Sequence, residues 1–161
     1  MTTRTPILAA FTLTSSEGRT PQPLNIHGAE LLVKLADADT HGAIAIFHEI
    51  APRLSGPPLH RHTYEDEWFY VLNGEITIEV DGVRSVLSKG GSAFAPRGTV
   101  HTFQNFSDSP AEMLAMVTPG RFNLFLEEVA SLDAGQSTPD VAATERLMND
   151  YGLELLGPPL S

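Results

Sequence analysis

The amino-acid sequence predicts an all-β sandwich or barrel followed by two helices. Between residues 30 and 117, seven or eight short apolar segments are separated by turn residues, which is typical of all-β domains. Residues 75–80 alternate strictly between apolar and polar side chains, as a half-buried strand does. After Pro119-Gly120 the apolar spacing changes to that of a helix. A chain of 161 residues has the size of one domain.

The predicted strands are rich in β-branched and aromatic residues, and glycine, proline or asparagine bounds most of them. Asn73-Gly74 and Asp81-Gly82 each predict a hairpin turn, because both residue pairs tolerate positive φ. Trp68, Tyr70 and Leu72 alternate with Phe69 and Val71, so this strand is apolar on both faces and its outer face must be covered. The predicted strands are residues 30–35, 43–50, 68–72, 75–80, 83–87, 92–95, 100–106 and 111–117.

The C-terminal part predicts two amphipathic helices. The first covers residues 121–132; the second begins at Thr138-Pro139-Asp140, with a capping hydroxyl and an early proline, and ends at Gly152. We expect their apolar stripes to cover an exposed face of the barrel. The predicted organisation is one domain with an N-terminal arm and leading strand (1–40), a barrel core (41–118) and a C-terminal helical extension (119–161).

Composition and charge exclude several classes of protein. The chain has no cysteine, so disulfides, thiolate metal sites and cysteine nucleophiles are absent. Ten basic against 20 acidic residues give a net charge of −10, which disfavours nucleic acid and anionic membrane surfaces as partners. No stretch approaches the ~18 apolar residues of a membrane span. The N-terminal stretch makes a poor export signal, and we therefore expect a cytoplasmic protein.

Four residues form the candidate site: His60, His62, Glu67 and His101. In a strand, His60 and His62 point to the same face, and imidazole is the commonest ligand of first-row metals. Glu67 can join them only if the chain turns between residues 63 and 66. Three imidazoles and a carboxylate converging inside a barrel would hold a divalent metal and leave coordination positions open.

The spacing around these residues resembles the two signature motifs of the cupin superfamily. The first stretch reads His60-x-His62-(x)4-Glu67-(x)6-Gly74, and the second Gly90-(x)5-Pro96-x-Gly98-(x)2-His101-(x)3-Asn105. The resemblance implies an antiparallel jelly-roll β-barrel, with the two helices packed outside it. It also implies that His60, His62, Glu67 and His101 are ligands of one divalent transition metal: iron, manganese, nickel, cobalt, copper or zinc.

The stretch from Asp66 to Leu72 and the C-terminal tail are similar to single-domain bacterial cupins of the quercetin 2,3-dioxygenase-like type. This implies a metal-dependent dioxygenase acting on a small flavonol-like or enolisable hydroxylated compound and on O2, with Glu67 as the catalytic proton acceptor. Strand phase places Phe69, Val71 and Phe103 as candidate pocket walls. Two alternatives remain open: a non-oxidative isomerase, cyclase or lyase, and a non-catalytic small-molecule-binding cupin. Cupins of this type commonly form homodimers, which is the expected assembly.

Overall fold

Two antiparallel sheets make up most of the molecule. The computed structural model describes residues 8–26, 28–133 and 141–161. Within these ranges the elements are β1 (Leu24–Ile26), β2 (Ala29–Leu35), β3 (Ala45–Ala51), β4 (Leu59–His62), β5 (Asp66–Asn73), β6 (Glu75–Val80), β7 (Val83–Ser88), β8 (Ser92–Ala95), β9 (His101–Gln104), β10 (Ala111–Thr118), α1 (Phe122–Asp133), α2 (Val141–Asp150) and β11 (Leu153–Gly157).

The strand order shows how the chain alternates between the sheets. One sheet has six strands in the order β1-β2-β3-β10-β5-β8, and the other has five in the order β11-β4-β9-β6-β7. All pairings are antiparallel. This arrangement confirms the predicted all-β jelly-roll fold. Strands from both sides of the predicted 41–118 core join these sheets.

The core lies between the sheets, and the alternation of the sequence determines which side chains enter it. In β3, β5 and β10 every second residue is buried, because successive strand residues point to opposite faces. At about 25 cal/mol per Å² of buried apolar area, this inner layer is the main stabilising contribution. Its largest buried apolar side chains are Phe47, Phe69, Ile76, Met113, Val33, Val71 and Val117.

One predicted hairpin is confirmed and the other is wrong. Asp81 and Gly82 both have positive φ and connect the paired strands β6 and β7, as a two-residue turn requires. Asn73-Gly74 does not close a hairpin, because β5 and β6 belong to different sheets. At Gly74 the chain crosses between the sheets with φ of 75°, and a Cβ there would lie 2.9 Å from the Ala111 Cα. Glycine is therefore needed at this crossing, although not for a hairpin.

The C-terminal segment differs from its prediction in one further respect. Both helices are present, and α1 begins and ends within one residue of the predicted 121–132. The predicted start of the second helix, Thr138-Pro139-Asp140, lies outside the described residues. Strand β11 follows α2 and was not predicted, nor was β1, because both are short and lack an alternating apolar pattern. None of the helices in the described ranges has the length and apolar character needed to cross a bilayer.

A hydrogen bond to a buried side chain attaches the first helix to the segment between β2 and β3. The Asn123 side chain is 2% exposed, and its Oδ1 accepts a hydrogen bond from the Asp37 backbone N–H at 2.9 Å. Tyr151, just after α2, donates from its hydroxyl to Glu128 at 2.7 Å, which ties the second helix to the first. The helices pack mainly on β1 and β11, so they do not cover the outer face of β5.

Candidate metal centre

The two sheets supply different members of the His–Glu cluster, which we define as His60, His62, Glu67 and His101. Both β4 histidines point inward with period two, and His101 on β9 lies directly opposite His60 in the strand register. Glu67 comes from β5, in the other sheet. The bend at residues 63–65 carries the chain from one sheet to the other, which confirms the predicted turn.

The four side chains are buried and close together. Their exposed fractions lie between 1% and 7%, and one donor atom from each can be chosen so that all lie within 4.8 Å of one another. The Glu67 Oε2 atom lies 3.0 Å from His101 Nε2 and 3.2 Å from His62 Nε2. The His60 and His101 ring centroids are 4.5 Å apart. All four predicted ligands therefore come together at one point between the sheets.

Each imidazole is held through its Nδ1 atom. His60 Nδ1 lies 2.8 Å from the Pro58 carbonyl oxygen, and His101 Nδ1 lies 3.0 Å from the Thr99 carbonyl oxygen. A carbonyl oxygen only accepts, so Nδ1 carries a proton in both rings, and Nε2 is the ring nitrogen that faces the cluster. His62 Nδ1 faces the Glu65 carboxylate at 3.3 Å. This outward anchoring is the arrangement that orients histidine ligands around metals.

The donor set fits a divalent ion. Two atoms bound to one ion at about 2.1 Å lie at most about 4.2 Å apart, so movements of a few tenths of an ångström bring the donors into range. His62 Nε2 is fully buried and makes no hydrogen bond to any described residue, although it lies 3.2 Å from Glu67 Oε2. A buried polar atom without a partner is costly, and metal coordination would remove that cost. The His–Glu cluster could therefore hold a metal ion.

Burial and neighbouring charges act differently on the members of the cluster. Burial opposes ionisation of Glu67, but contacts with His101 and His62 outweigh it and hold the pKa of this carboxyl well below its usual range. Burial also opposes protonation of His62, but Glu65 and Glu67 raise the pKa of this imidazole to about 9. Burial, followed by the charges of His101 and His62, lowers the pKa of His60 to about 3. The cluster thus keeps a carboxylate anion in an apolar interior.

A cavity of about 80 Å³ opens beside His60 and Glu67, with room for several water molecules. Phe69 and Phe103 line it, as predicted from strand phase. Val71 is instead buried in the core, 1% exposed, and is not among the described residues of the cavity wall. The remaining described lining residues are Ile26, Leu31, Phe47, Glu49, Ser55, Gly56, Pro57, Ala115, Phe122 and Leu126.

The sequence and the structure were compared with known protein families and solved structures. A family model described as a cupin domain matches residues 46–117, the segment that contains the whole His–Glu cluster. This segment is a cupin domain. Over 104 residues, this cupin is 27% identical to quercetin 2,3-dioxygenase of Bacillus subtilis, covering 65% of the chain and 31% of that protein.

Further relatives of this cupin match shorter segments or the fold. It is 42% identical over 62 residues to the probable oxidoreductase patJ of Penicillium expansum, covering 38% of the chain and 19% of that protein. The chain thus spans less than a third of either curated relative. The solved structure of a predicted oxalate decarboxylase from Thermotoga maritima is 26% identical, with a TM-score of 0.61, and the match covers 68% of this chain and 99% of that one.

Two acidic residues at the site of this cupin were not among the predicted site residues. Glu49 lies on β3, in phase with the buried Phe47, and its carboxyl group lines the cavity. Burial, and then the negative charge of Glu67, raises the pKa of Glu49 to about 8. Glu65 is 4% exposed beside His62. In the sequence, Glu49 stands out only as an acidic residue at a position of β3 where apolar residues are expected. The sequence around Glu65 does not distinguish it from a solvent-exposed loop residue.

We predict that Glu65→Gln lowers metal affinity about 10- to 100-fold without removing a ligand. The amide still accepts a hydrogen bond from His62 Nδ1, but it no longer makes the imidazole more basic through its negative charge. Competition titration against a chelating dye measures the effect. Glu112→Gln is the matched control, because Glu112 pairs with His48 at 3.1 Å outside the cluster. Equal losses of metal affinity in Glu65→Gln and Glu112→Gln would contradict the proposed effect of Glu65 on His62.

We also predict that Glu49→Gln stabilises the metal-free protein increasingly as pH rises. Between the unfolded pKa near 4.5 and the folded pKa of about 8, the unfolded chain loses the Glu49 proton while the folded chain keeps it. Stability therefore falls with pH over this window in the wild type, and glutamine removes that loss, on the order of 3 kcal/mol at pH 7.

Denaturant unfolding at about pH 5 and about pH 7.5, with chelator present, measures the stability difference between Glu49→Gln and the wild type. The difference should be larger at the higher pH. Glu30→Gln, at an exposed position of β2, is the control and should give no change with pH. A stability difference that is the same at both pH values would contradict the prediction for Glu49.

Proposed function

We propose that the His–Glu cluster binds one divalent transition metal and that this cupin is a metal-dependent dioxygenase. Its substrate would be a small hydroxylated compound of the flavonol-like or enolisable type, with O2 as the second substrate. The observation that carries this proposal is a buried set of three imidazoles and one carboxylate that opens on an apolar cavity. The match to a quercetin 2,3-dioxygenase supports the reaction class.

When bound, the metal supplies Lewis acidity and a site for oxygen chemistry. The protein's own contribution is to hold and move a proton. Glu67 is kept ionised by its two imidazole neighbours, so it is the residue proposed to accept the proton of the substrate hydroxyl. Phe69, Phe103 and Phe122 give the cavity beside it apolar walls, and such a low-polarity surrounding strengthens electrostatic interactions.

Oxygen uptake tests the reaction class. The purified protein is stripped of metal, reconstituted with each candidate ion in turn, and assayed with flavonols and small enols in an oxygen electrode. We expect one O2 consumed per substrate with at least one of the ions, and both atoms of labelled O2 in the product. Product formation under strict exclusion of oxygen would overturn the dioxygenase proposal.

One observation favours a second candidate, a non-oxidative metallo-cupin such as a lyase. The protein of the Thermotoga structure is named a predicted oxalate decarboxylase, and the match covers nearly all of that chain. A lyase would use the same cluster to polarise a substrate oxygen, without consuming O2. The anaerobic arm of the oxygen experiment separates the two candidates.

We further propose that the protein is a homodimer in which a second copy covers the outer face of β5. Trp68 and Tyr70 stack there at 5.6 Å between ring centroids, and Phe94 lies opposite Trp68 in the strand register. Phe94 is 57% exposed, and the helices pack mainly elsewhere. An exposed aromatic cluster of this kind is characteristic of protein interfaces.

We predict that light scattering shows a dimer at micromolar concentration and that Phe94→Glu shifts the protein toward monomer. A glutamate opposite Trp68 would bury an unpaired charge in the dimer interface and so weaken the association. The control is Val86→Glu, which is 59% exposed on the other sheet and should leave the dimer intact. A monomeric wild-type protein would contradict the proposed dimer. The same oligomeric state in Phe94→Glu and Val86→Glu would contradict the outer face of β5 as its interface.

A further inference from the structure

A second, larger chamber adjoins the cavity at the His–Glu cluster. It has a volume of about 310 Å³ and lies between the two helices, β11 and the Pro57-Pro58 loop. Both spaces are lined by Ile26, Pro57, His60, Phe122 and Leu126. Because they share these walls, the chamber lies directly beside the cavity, and the His60 side chain borders both spaces.

The chamber is built mainly by parts of the chain that lie outside the matched cupin segment, 46–117. In β11, Leu155 pairs with His60 and Leu153 pairs with His62. Paired residues of neighbouring antiparallel strands share a face of the sheet. The sheet face that carries two imidazoles therefore continues as a surface of leucine side chains.

The helices complete this surface with further apolar side chains. Phe125 and Val129 on α1 and Met148 on α2 line the chamber opposite the sheet. Leu155 remains 44% exposed although it faces this space. Glu145 is at the chamber as well, and with a net charge of −10 on the chain it disfavours an anionic group there.

We propose that this chamber is a binding subsite for the apolar body of an elongated, uncharged ligand whose oxygen-bearing end lies at the His–Glu cluster. The inference rests on the proposed function, because the metal site determines where that end is held. The cavity of about 80 Å³ is much smaller than the chamber of about 310 Å³, so the larger part of an elongated ligand would occupy the chamber. The ligand class is thus a hydroxyketone or enol joined to an aromatic or alkyl body.

Two probes with the same hydroxyketone group test the subsite. Maltol carries this group on a small ring, and 3-hydroxyflavone carries it with an additional fused ring and a phenyl substituent. Binding to the metal-loaded protein is measured without oxygen, by calorimetry for maltol and by flavonol fluorescence for the second probe. We expect the wild type to bind 3-hydroxyflavone at least about tenfold more tightly, since it buries more apolar area.

Met148→Trp fills the chamber and should lower the affinity for 3-hydroxyflavone at least tenfold, with maltol affinity and metal content unchanged. Leu147→Trp is the matched control, because Leu147 is the neighbouring α2 residue and lines a separate surface cleft. If Met148→Trp fails to fold, Leu155→Trp replaces it, with Leu156→Trp as its control on the opposite face of β11. Equal affinity of the wild type for the two probes would overturn the subsite, as would equal loss of both probes in the filled variant.

Failure of the proposed reaction is distinguishable from failure of this subsite. A protein that discriminates the two probes and loses this discrimination in Met148→Trp has the subsite, even if it consumes no oxygen. If Met148→Trp consumes oxygen with both compounds and binds both as the wild type does, the dioxygenase proposal is supported and the subsite is overturned.

Discussion

Replacing His101 by alanine should reduce bound metal from about one ion per chain to well below stoichiometry, and activity should fall at least about 1,000-fold. The substitution removes one of three imidazoles and also the hydrogen bond to Glu67 at 3.0 Å. The carboxylate is then left with fewer partners in a buried position, where an uncompensated charge is strongly destabilising. Elemental analysis of the dialysed protein and turnover of the best substrate measure the two effects.

Two further variants separate metal ligation from general damage to the fold. His101→Gln keeps a hydrogen-bonding side chain beside Glu67 but supplies a poor ligand, so it should fold and still lose metal. His48→Ala removes a histidine of β3 that pairs with Glu112 away from the cluster, and should retain metal. Stoichiometric metal in His101→Ala would refute the ligand assignment.

The members of the His–Glu cluster could be predicted from the motif spacing that resembles cupins, and strand geometry explains part of that spacing. A spacing of two residues places His60 and His62 on one strand face, and the odd offset to Glu67 requires a turn. The structure adds the reason that this turn matters: it moves the chain from the five-stranded to the six-stranded sheet. Spacing alone could not show that Glu67 approaches the histidines from the opposite sheet.

The chamber and the second acid depend on long-range packing, and for that reason the sequence did not reveal them. The period of α1 predicts which of its residues are buried, but not that Phe122 stacks edge-on against the His62 ring at 4.7 Å. Among the described strands, β11 pairs with β4 alone, about ninety residues earlier in the chain, and its own pattern does not alternate. A local apolar pattern identifies a buried face, whereas the identity of its neighbours depends on topology.

The site holds two carboxyl groups in opposite protonation states. Contacts with His101 and His62 keep Glu67 ionised, while burial and the negative charge of Glu67 keep the proton on Glu49 up to about pH 8. When the surroundings lower the pKa of one carboxyl group and raise the pKa of another in the same cavity, the first can accept a proton and the second is neutral. This difference is why Glu67, and not Glu49, is the candidate base.

Glu67→Gln should lower kcat about 100- to 10,000-fold at saturating metal, because the amide cannot accept the proton of the substrate hydroxyl. Glutamine keeps the size and an oxygen donor, so weakened metal binding can be offset by excess metal. The loss in Glu65→Gln, which acts only through His62, should disappear under the same conditions.

A pH profile with substrates of graded hydroxyl acidity then distinguishes a base from a simple ligand. In Glu67→Gln, the rate should recover as the assay pH passes the substrate's own pKa, since the hydroxyl then arrives ionised and needs no acceptor. The recovery should begin at lower pH for the more acidic substrates. If Glu67 served only to hold the metal, the rate deficit would be the same for every substrate and at every pH.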